Sequence, residues 1–141
     1  MRGLAIPQPW AELMMLGKKK VEIRNRYTNI RGWIYIYASR KDTKPELVKQ
    51  FDFDTLLVGF IIGKAFLADV KRYGSDEEFY KDEHLHLMSK EILASKGWRF
   101  QLKPRYGYII TKVERLEKPV PYAGNQGFFD VNLPEEYLQS V

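Results

Sequence analysis

The clearest alternation of apolar and polar positions lies at residues 20–24, where Val21 and Ile23 alternate with charged side chains. A period of two is that of a strand with one face packed inward and one face free. Gly17 precedes this strand and suits the positive φ that often ends a helix. The pattern predicts a helix, a glycine turn and a strand, and the turn and strand form the charged segment, residues 17–26.

Strand and helix periods recur along the rest of the chain. The apolar spacing of Trp10, Leu13 and Met14 predicts a helix over residues 8–16, with Pro9 as its first helical residue. Residues 32–39 form the clearest strand, since bulky side chains occupy both of its faces. Further strands are predicted at residues 2–6, 56–70, 98–102, 106–116 and 128–131, and further helices at residues 42–51 and 75–96. The second of these helices begins with the capping spacing of Ser75 and Glu78, ends at Gly97 and is expected to break near residues 82–86.

These elements indicate the fold class. Strands and helices do not alternate regularly, which argues against a parallel βαβ sheet. Gly59 and Gly63 fall inside the predicted strand 56–70 and indicate the bulges or bends that barrel strands need. We predict an α+β fold, a small mixed β-barrel flanked by about three helices, as a single domain over residues 1–141.

Composition narrows the functional classes. The 141 residues are 45% hydrophobic and include no cysteine, which excludes disulfides and thiolate metal sites. His84 and His86 are two apart and face different sides of a helix, so no metal site is expected. The longest apolar run, residues 56–62, is far short of a membrane span. We expect a cytoplasmic protein without cofactor, metal or membrane contact.

Positive charge is concentrated near the N-terminus. The net charge is +5, yet residues 1–41 hold nine Lys and Arg against two acidic residues. Cations gathered in one part of a fold indicate a polyanionic partner, and nucleic acid is the leading case. A solubilising surface on a basic protein is an equally good explanation of the charge alone.

Three stretches resemble the ASCH domain family of the PUA-like superfamily. The first is Ala-Ile-Pro-Gln-Pro-Trp-Ala at residues 5–11, similar to the family's Gln-Pro-Trp opening. The second is Gly17-x-Lys19-x-x-Glu22-x-Arg24, which matches the family's Gly-x-Lys-x-x-Glu-x-Arg pattern at every fixed position. The third is the run at residues 31–39, and residues 106–110 and 119–129 resemble the family's closing strand and glycine-aromatic loop.

The resemblance implies a PUA-like barrel with a cleft where the first helix meets the charged segment. It also implies RNA or DNA binding, and a few members are enzymes: amidohydrolases that deacetylate acetylated cytidine, and ribonucleases. Lys19 matches the catalytic lysine of those amidohydrolases, whereas Glu22 stands where they have a threonine. No motif locates their distant catalytic glutamate here, so this chain departs from the amidohydrolase pattern.

The leading hypothesis is therefore a nucleic-acid-binding domain, with RNA favoured over DNA, that recognises a nucleotide or an unpaired base in a basic cleft. One alternative is a hydrolase of modified nucleosides or RNA, with Lys19 as nucleophile or base and Glu22 tuning its pKa. Another is a protein-interaction scaffold. The candidate binding residues are Gln8, Trp10, Lys19, Lys20, Glu22, Arg24, Arg26 and Tyr37.

Each candidate also has a purely structural explanation. Lys19, Glu22 and Arg24 could form a surface ion-pair cluster, although such pairs contribute only about 0–1 kcal/mol. Trp10 fits a core position, and Gln8 fits a helix cap. Tyr37 shares one face of the strand 32–39 with Trp33 and Tyr35. Such an aromatic stripe belongs to the core more often than to a surface that stacks on bases. Lys20 fits long-range electrostatics better than a specific contact.

Overall fold

A computed structural model describes residues 1–95 and 104–133, which contain one six-stranded sheet and five short helices. The strands are β1 (Arg2–Pro7), β2 (Val21–Arg24), β3 (Gly32–Ser39), β4 (Phe60–Tyr73), β5 (Arg105–Pro121) and β6 (Phe128–Asp130). The helices are α1 (Trp10–Met15), α2 (Pro45–Gln50), α3 (Asp76–Lys81), α4 (Glu83–His86) and α5 (Lys90–Ala94). No helix in these ranges has the length and apolar character that crossing a bilayer requires.

The sheet is mixed and curls into a half-barrel. Its strand order is β2-β5-β4-β3-β1-β6, and β1–β3 is the one parallel pair among the described strands. Arg24 on edge strand β2 donates its Nη2 to the Ala5 carbonyl of β1 at 2.6 Å. Tyr108 of β5 likewise stacks on Phe128 of β6, with ring centroids 6.1 Å apart. The two ends of the sheet therefore face each other, and the predicted α+β barrel is confirmed as a half-barrel.

The bend predicted from glycines occurs at one of the two positions. The register of β4 against β5 shifts between Ile61 and Gly63. A Cβ on Gly63 would lie 2.7 Å from the Glu114 carbonyl oxygen, so only glycine lets the two strands approach there. Gly59 instead precedes β4 with a φ of +81°, and the prediction that it lies inside the strand is wrong.

The long helix predicted for residues 75–96 is three helices in the structure. Ser75 caps α3 by accepting a 3.1 Å hydrogen bond from the Glu78 amide, as the capping spacing predicted. Leu87 takes a left-handed φ of 65° after α4, and Ser89 then caps α5 at the Ile92 amide. The cap at Ser89 begins a new helix after the turn at Leu87, and the spacing of apolar residues does not predict this second break. The predicted end at Gly97 and the strand 98–102 lie outside the described residues.

The corner formed by α1 and β2 departs from the prediction in two details. Pro9 occupies the N-cap position, one residue before the helix, rather than the first helical position. Val21 and Ile23 are buried as expected, but Glu22 is only 4% exposed, so the other face of β2 is not free. Gly17 does take the positive φ, +75°, that the turn was expected to need.

Apolar side chains pack on both faces of β3. Ile34 and Ile36 belong to the main core, which also contains the apolar side of α1. Tyr35 and Tyr37 belong to a smaller core with Phe129 and neighbouring side chains of β4, β5 and the segment after β6. The second face was expected to be either covered or ligand-facing, and the chain after β5 returns over most of it, while Tyr37 also reaches the cleft.

Candidate binding cleft

A cleft of about 1040 Å³ opens between the two facing ends of the sheet. Its walls come from β1, β2, the C-terminal end of β3 and the connection between β5 and β6. Its charged lining residues are Lys19, Glu22, Arg24, Arg26, Arg40, Lys41, Asp42 and Lys44, and its aromatic ones are Trp10, Tyr27, Tyr37, Tyr108 and Phe128.

Lys19 lies at the floor of this cleft in the turn between α1 and β2. Its amide donates to the Leu13 carbonyl at 3.1 Å, so the turn is tied to the end of the helix. Its side chain is 1% exposed, and its Nζ donates to the His86 carbonyl oxygen. The ammonium also lies 3.8 Å from Oε1 of Glu22 and 5.0 Å from the centre of the Trp10 ring.

Glu22 joins Lys19 to Arg24. Its Oε2 accepts hydrogen bonds from Nε and Nη2 of Arg24 at 2.9 and 2.8 Å, while its Oε1 faces the lysine. The arginine in turn reaches the Ala5 carbonyl across the gap between the sheet ends. One buried carboxylate thus holds two cations in place, and these three residues form the Lys19–Glu22–Arg24 cluster.

Burial controls the protonation of Lys19. Removal of the ammonium from water lowers the pKa of Lys19 from 10.5 to about 8, and Arg24 adds to the lowering. The Glu22 carboxylate opposes this by raising the pKa, but its effect is smaller. Desolvation therefore outweighs pairing, and Lys19 holds its proton far less tightly than an exposed lysine does.

His86, whose carbonyl oxygen accepts the hydrogen bond from Lys19, is itself fully buried. Its ring stacks on Phe79 with centroids 4.1 Å apart, and its Nδ1 accepts the Met88 amide proton at 2.9 Å. Because a backbone amide only donates, Nδ1 carries no proton, and Nε2 donates to the Phe79 carbonyl at 2.7 Å. Burial, aided by Lys19, lowers the pKa of His86 from 6.5 to about 4. Spacing in the sequence gave no signal for this role.

Trp10 is both a core residue and a lining residue of the cleft. The indole is 3% exposed, packs edge-to-face on Phe51 with centroids 5.5 Å apart, and belongs to the main core. It also lines the cleft and lies against the Lys19 ammonium. Its Nε1 has no hydrogen-bond partner within the part of the chain that the structure describes.

Two of the predicted residues do not line the cleft. Gln8 accepts the Glu12 amide proton at 2.9 Å and donates to the Leu57 carbonyl at 3.0 Å, so its amide caps α1 and fixes a loop. This corrects the expectation that Gln8 lines the cleft. Lys20 is exposed outside the lining, while its backbone pairs with Leu85 and Ile110.

Arg26 and Tyr37 do lie in the cleft wall. Arg26 is exposed, and the Tyr37 ring is held edge-to-face by Phe129 at 5.6 Å. A Cβ on Gly124 would come within 2.7 Å of the same tyrosine ring, so the loop between β5 and β6 packs directly on it. Lining residues that sequence reasoning missed include Arg40, Lys41, Asp42, Lys44 and Tyr108.

A metal site needs several ligand side chains close together. In residues 1–95 and 104–133, no three His, Cys, Asp or Glu side chains are close enough to hold a metal ion. The chemistry that the cleft offers is therefore that of hydrogen-bond donors, cations, one buried carboxylate and aromatic faces.

A curled mixed half-barrel with a cleft beside a helix–turn–strand corner is a PUA-like fold. The sequence model of the ASCH domain matches residues 4–120, and the chain belongs to the ASCH domain family. The family predicted from the sequence is therefore confirmed.

Comparison with individual proteins agrees with this assignment. An ASCH protein crystal structure from Zymomonas mobilis superposes with a TM-score of 0.67 and 16% identity, covering 99% of this chain and 91% of that one. A variant of it with one tyrosine replaced by phenylalanine gives 0.64 and 15%, covering 98% and 93%. Human activating signal cointegrator 1 is 43% identical over 47 residues, 33% of this chain. That match spans 8% of the human protein's length.

Glu22→Gln is expected to lower the free energy of unfolding by about 3 kcal/mol, because it leaves the buried Lys19 and the partly buried Arg24 without their counter-charge. The measurement is urea denaturation at pH 7. Glu12→Gln is the matched control, since it removes a carboxylate paired with Arg115 at 2.7 Å on a surface where that arginine is 45% exposed. The control should change stability by about 1 kcal/mol or less. Equal effects would contradict the buried-cluster interpretation.

The His86 pKa predicts how stability depends on acid. Between the unfolded value of 6.5 and the folded value of about 4, the unfolded chain binds the proton more tightly. The free energy of unfolding should therefore fall as pH drops through this window, by up to about 1.4 kcal/mol per pH unit.

His86→Gln, measured by denaturant unfolding at several pH values, should flatten this dependence. His84→Gln is the control, because His84 is exposed and should leave the slope as it is. A native slope that survives in His86→Gln would assign the acid sensitivity to other groups.

Proposed function

We propose that this domain binds RNA and recognises a nucleotide or an unpaired base in the cleft. The observation that carries the proposal is the charge of the lining, which has six lysines and arginines against two carboxylates. Such an excess in a concave site favours an anionic ligand and raises its local concentration. A single-domain organisation over residues 1–141 and a cytoplasmic location belong to the same proposal.

The arrangement of the floor supports recognition as well as attraction. Glu22 fixes the orientation of the Arg24 guanidinium through two hydrogen bonds, so the cation does not have to be ordered when a ligand arrives. A carboxylate in a donor-rich site also favours ligands that present a donor, such as the amino group on a base edge. A simple phosphate site has no need of such an acceptor.

The cleft also offers aromatic faces to a base. Tyr37, Tyr108 and Phe128 line it; Phe128 is partly exposed, while Tyr37 and Tyr108 are 8% and 3% exposed and support it from behind the surface. Tyr108 is anchored by a 2.6 Å hydrogen bond from its hydroxyl to the Arg26 carbonyl. Rings held rigidly in this way suit stacking with an unpaired base, which contributes about 1–3 kcal/mol per base. A base paired within a duplex could not enter, so single-stranded RNA is the preferred form.

Arg26→Ala should weaken binding of a fluorescein-labelled single-stranded RNA about fivefold in 0.1 M salt and reduce the slope of log affinity against log salt by about 0.7. The reason is the loss of one phosphate contact in the cleft wall. Lys20→Ala is the matched control, because it removes a positive charge from the same segment but outside the cleft. Fluorescence anisotropy titrations over a salt series measure both.

The controls separate the proposal from weaker explanations. Equal losses in Arg26→Ala and Lys20→Ala would indicate diffuse attraction to a basic surface rather than binding in the cleft. A native protein that binds no RNA would overturn the proposal. The same titration with DNA of identical sequence tests the preference for RNA.

A second candidate function, hydrolysis of an acylated cytidine or of RNA, is favoured by the lowered pKa of Lys19. With a pKa of about 8, an appreciable fraction of the side chain is neutral near pH 7 and could act as nucleophile or base. Its nitrogen also donates to the His86 carbonyl, so a substrate would have to compete with that bond.

This candidate predicts turnover of acetylcytidine or a short RNA at a rate that rises with pH through about 8 and is lost in Lys19→Met. Product formation followed by chromatography from pH 6 to 9 provides the measurement. Lys20→Met serves as the control for the loss of a positive charge. Absence of turnover by the native protein would leave the binding function as the better assignment.

A further inference from the structure

The cations of the cleft differ in what they already bind. Lys19 donates to the His86 carbonyl and pairs with Glu22, while Arg24 is engaged with Glu22 and Ala5. These bonds are made within the protein, so much of the donor capacity at the floor is used before a ligand arrives. The floor is therefore better suited to shaping the site than to holding the charge of a phosphate.

Three other cations of the lining have no such bonds to described residues. The side chains of Arg26, Arg40 and Lys41 are exposed, and none forms a hydrogen bond or ion pair with a described residue. A guanidinium or ammonium that is exposed and uncommitted can bind a phosphate without first giving up a protein contact. The contacts left open for phosphate thus lie along the edge of the cleft.

Sheet topology places these cations at two separate positions. Arg26 follows the C-terminal end of β2, and Arg40 with Lys41 follows the C-terminal end of β3. Three successive antiparallel pairings connect β2 to β3 through β5 and β4, so β2 and β3 run in opposite directions. The chain therefore leaves β2 and β3 in opposite strand directions, and we refer to Arg26 as the first rim and to Arg40 with Lys41 as the second rim.

The dimensions of the cleft fit a ligand that reaches both rims. Its volume of about 1040 Å³ is at the upper limit of the roughly 300–1,000 Å³ that drug-sized ligands occupy. A mononucleotide is a small member of that class and would leave much of the space empty. Asn125 and Gln126 also line the cleft and are exposed, so their side-chain amides offer donors and acceptors to base edges.

We propose, as an extension of the RNA-binding function, that the two rims bind different phosphates of one RNA strand. The ligand is then an oligonucleotide that crosses the cleft, with one base between the rims, and not a free nucleoside or mononucleotide. Asp42 and Lys44 also line the cleft in this segment and cancel in charge, so Arg40 and Lys41 carry the net positive charge of the second rim.

The experiment compares ligands of increasing length. An equimolar mixture of the four nucleoside 5′-monophosphates and random-sequence RNAs of two, four and six nucleotides compete with a labelled RNA for the native protein. Affinity should rise at least tenfold from the mononucleotides to four nucleotides. In the double variant Arg40→Ala with Lys41→Ala, affinity for four nucleotides should fall about tenfold and approach the affinity of the same variant for mononucleotides.

Control variants and alternative outcomes make the inference decisive. Lys118→Ala together with Lys112→Ala removes two exposed charges of β5 that do not line the cleft, and should keep the full gain with length. Mononucleotides that bind as tightly as four nucleotides, or a rim variant that weakens all lengths equally, would overturn the two-rim arrangement but leave RNA binding standing. Failure of every length to bind would overturn both proposals.

Discussion

The half-barrel depends on one buried carboxylate that neutralises two cations. Glu22 is 4% exposed and contacts the fully buried Lys19, which needs a counter-charge there, and the partly buried Arg24. The arginine then extends the network to the Ala5 carbonyl on the opposite end of the sheet. Because of this link, the same interaction that stabilises the corner also fixes the distance between the cleft walls.

The helices after β4 belong to this network although they do not line most of the cleft. His86 presents its carbonyl to Lys19, and its ring is fixed by hydrogen bonds to Phe79 and Met88. The segment is short and interrupted, yet Ser75 caps α3 and Ser89 caps α5, so the helices on both sides of α4 have fixed starting points. The position of the lysine is thus set from two sides, by the end of α1 and by the loop after α4.

Local patterns in the sequence predicted what local physics decides. The Gly17 turn, the burial of Val21 and Ile23 and the strand Gly32–Ser39 follow from backbone preference and side-chain period, and all are confirmed. The full burial of Glu22 was not predictable, because it results from strands distant in sequence curling around β2. The same non-local geometry brings Arg40 into the cleft and keeps Gln8 out of it.

At the floor of the cleft, Lys19 and Arg24 are bonded to other groups of the protein, whereas the rim cations are not. The two sets therefore have different consequences for binding. Rim contacts are exposed and screened, so they contribute affinity that depends on salt and fast association with an anionic strand. Floor contacts are desolvated and pre-ordered, so a mismatched group there leaves a buried charge without its partner. If the ligand is a strand, its backbone supplies the first kind of contact and its base the second. Under the proposed function, the cleft separates attraction from discrimination, and this division follows from which of its cations are engaged with Glu22.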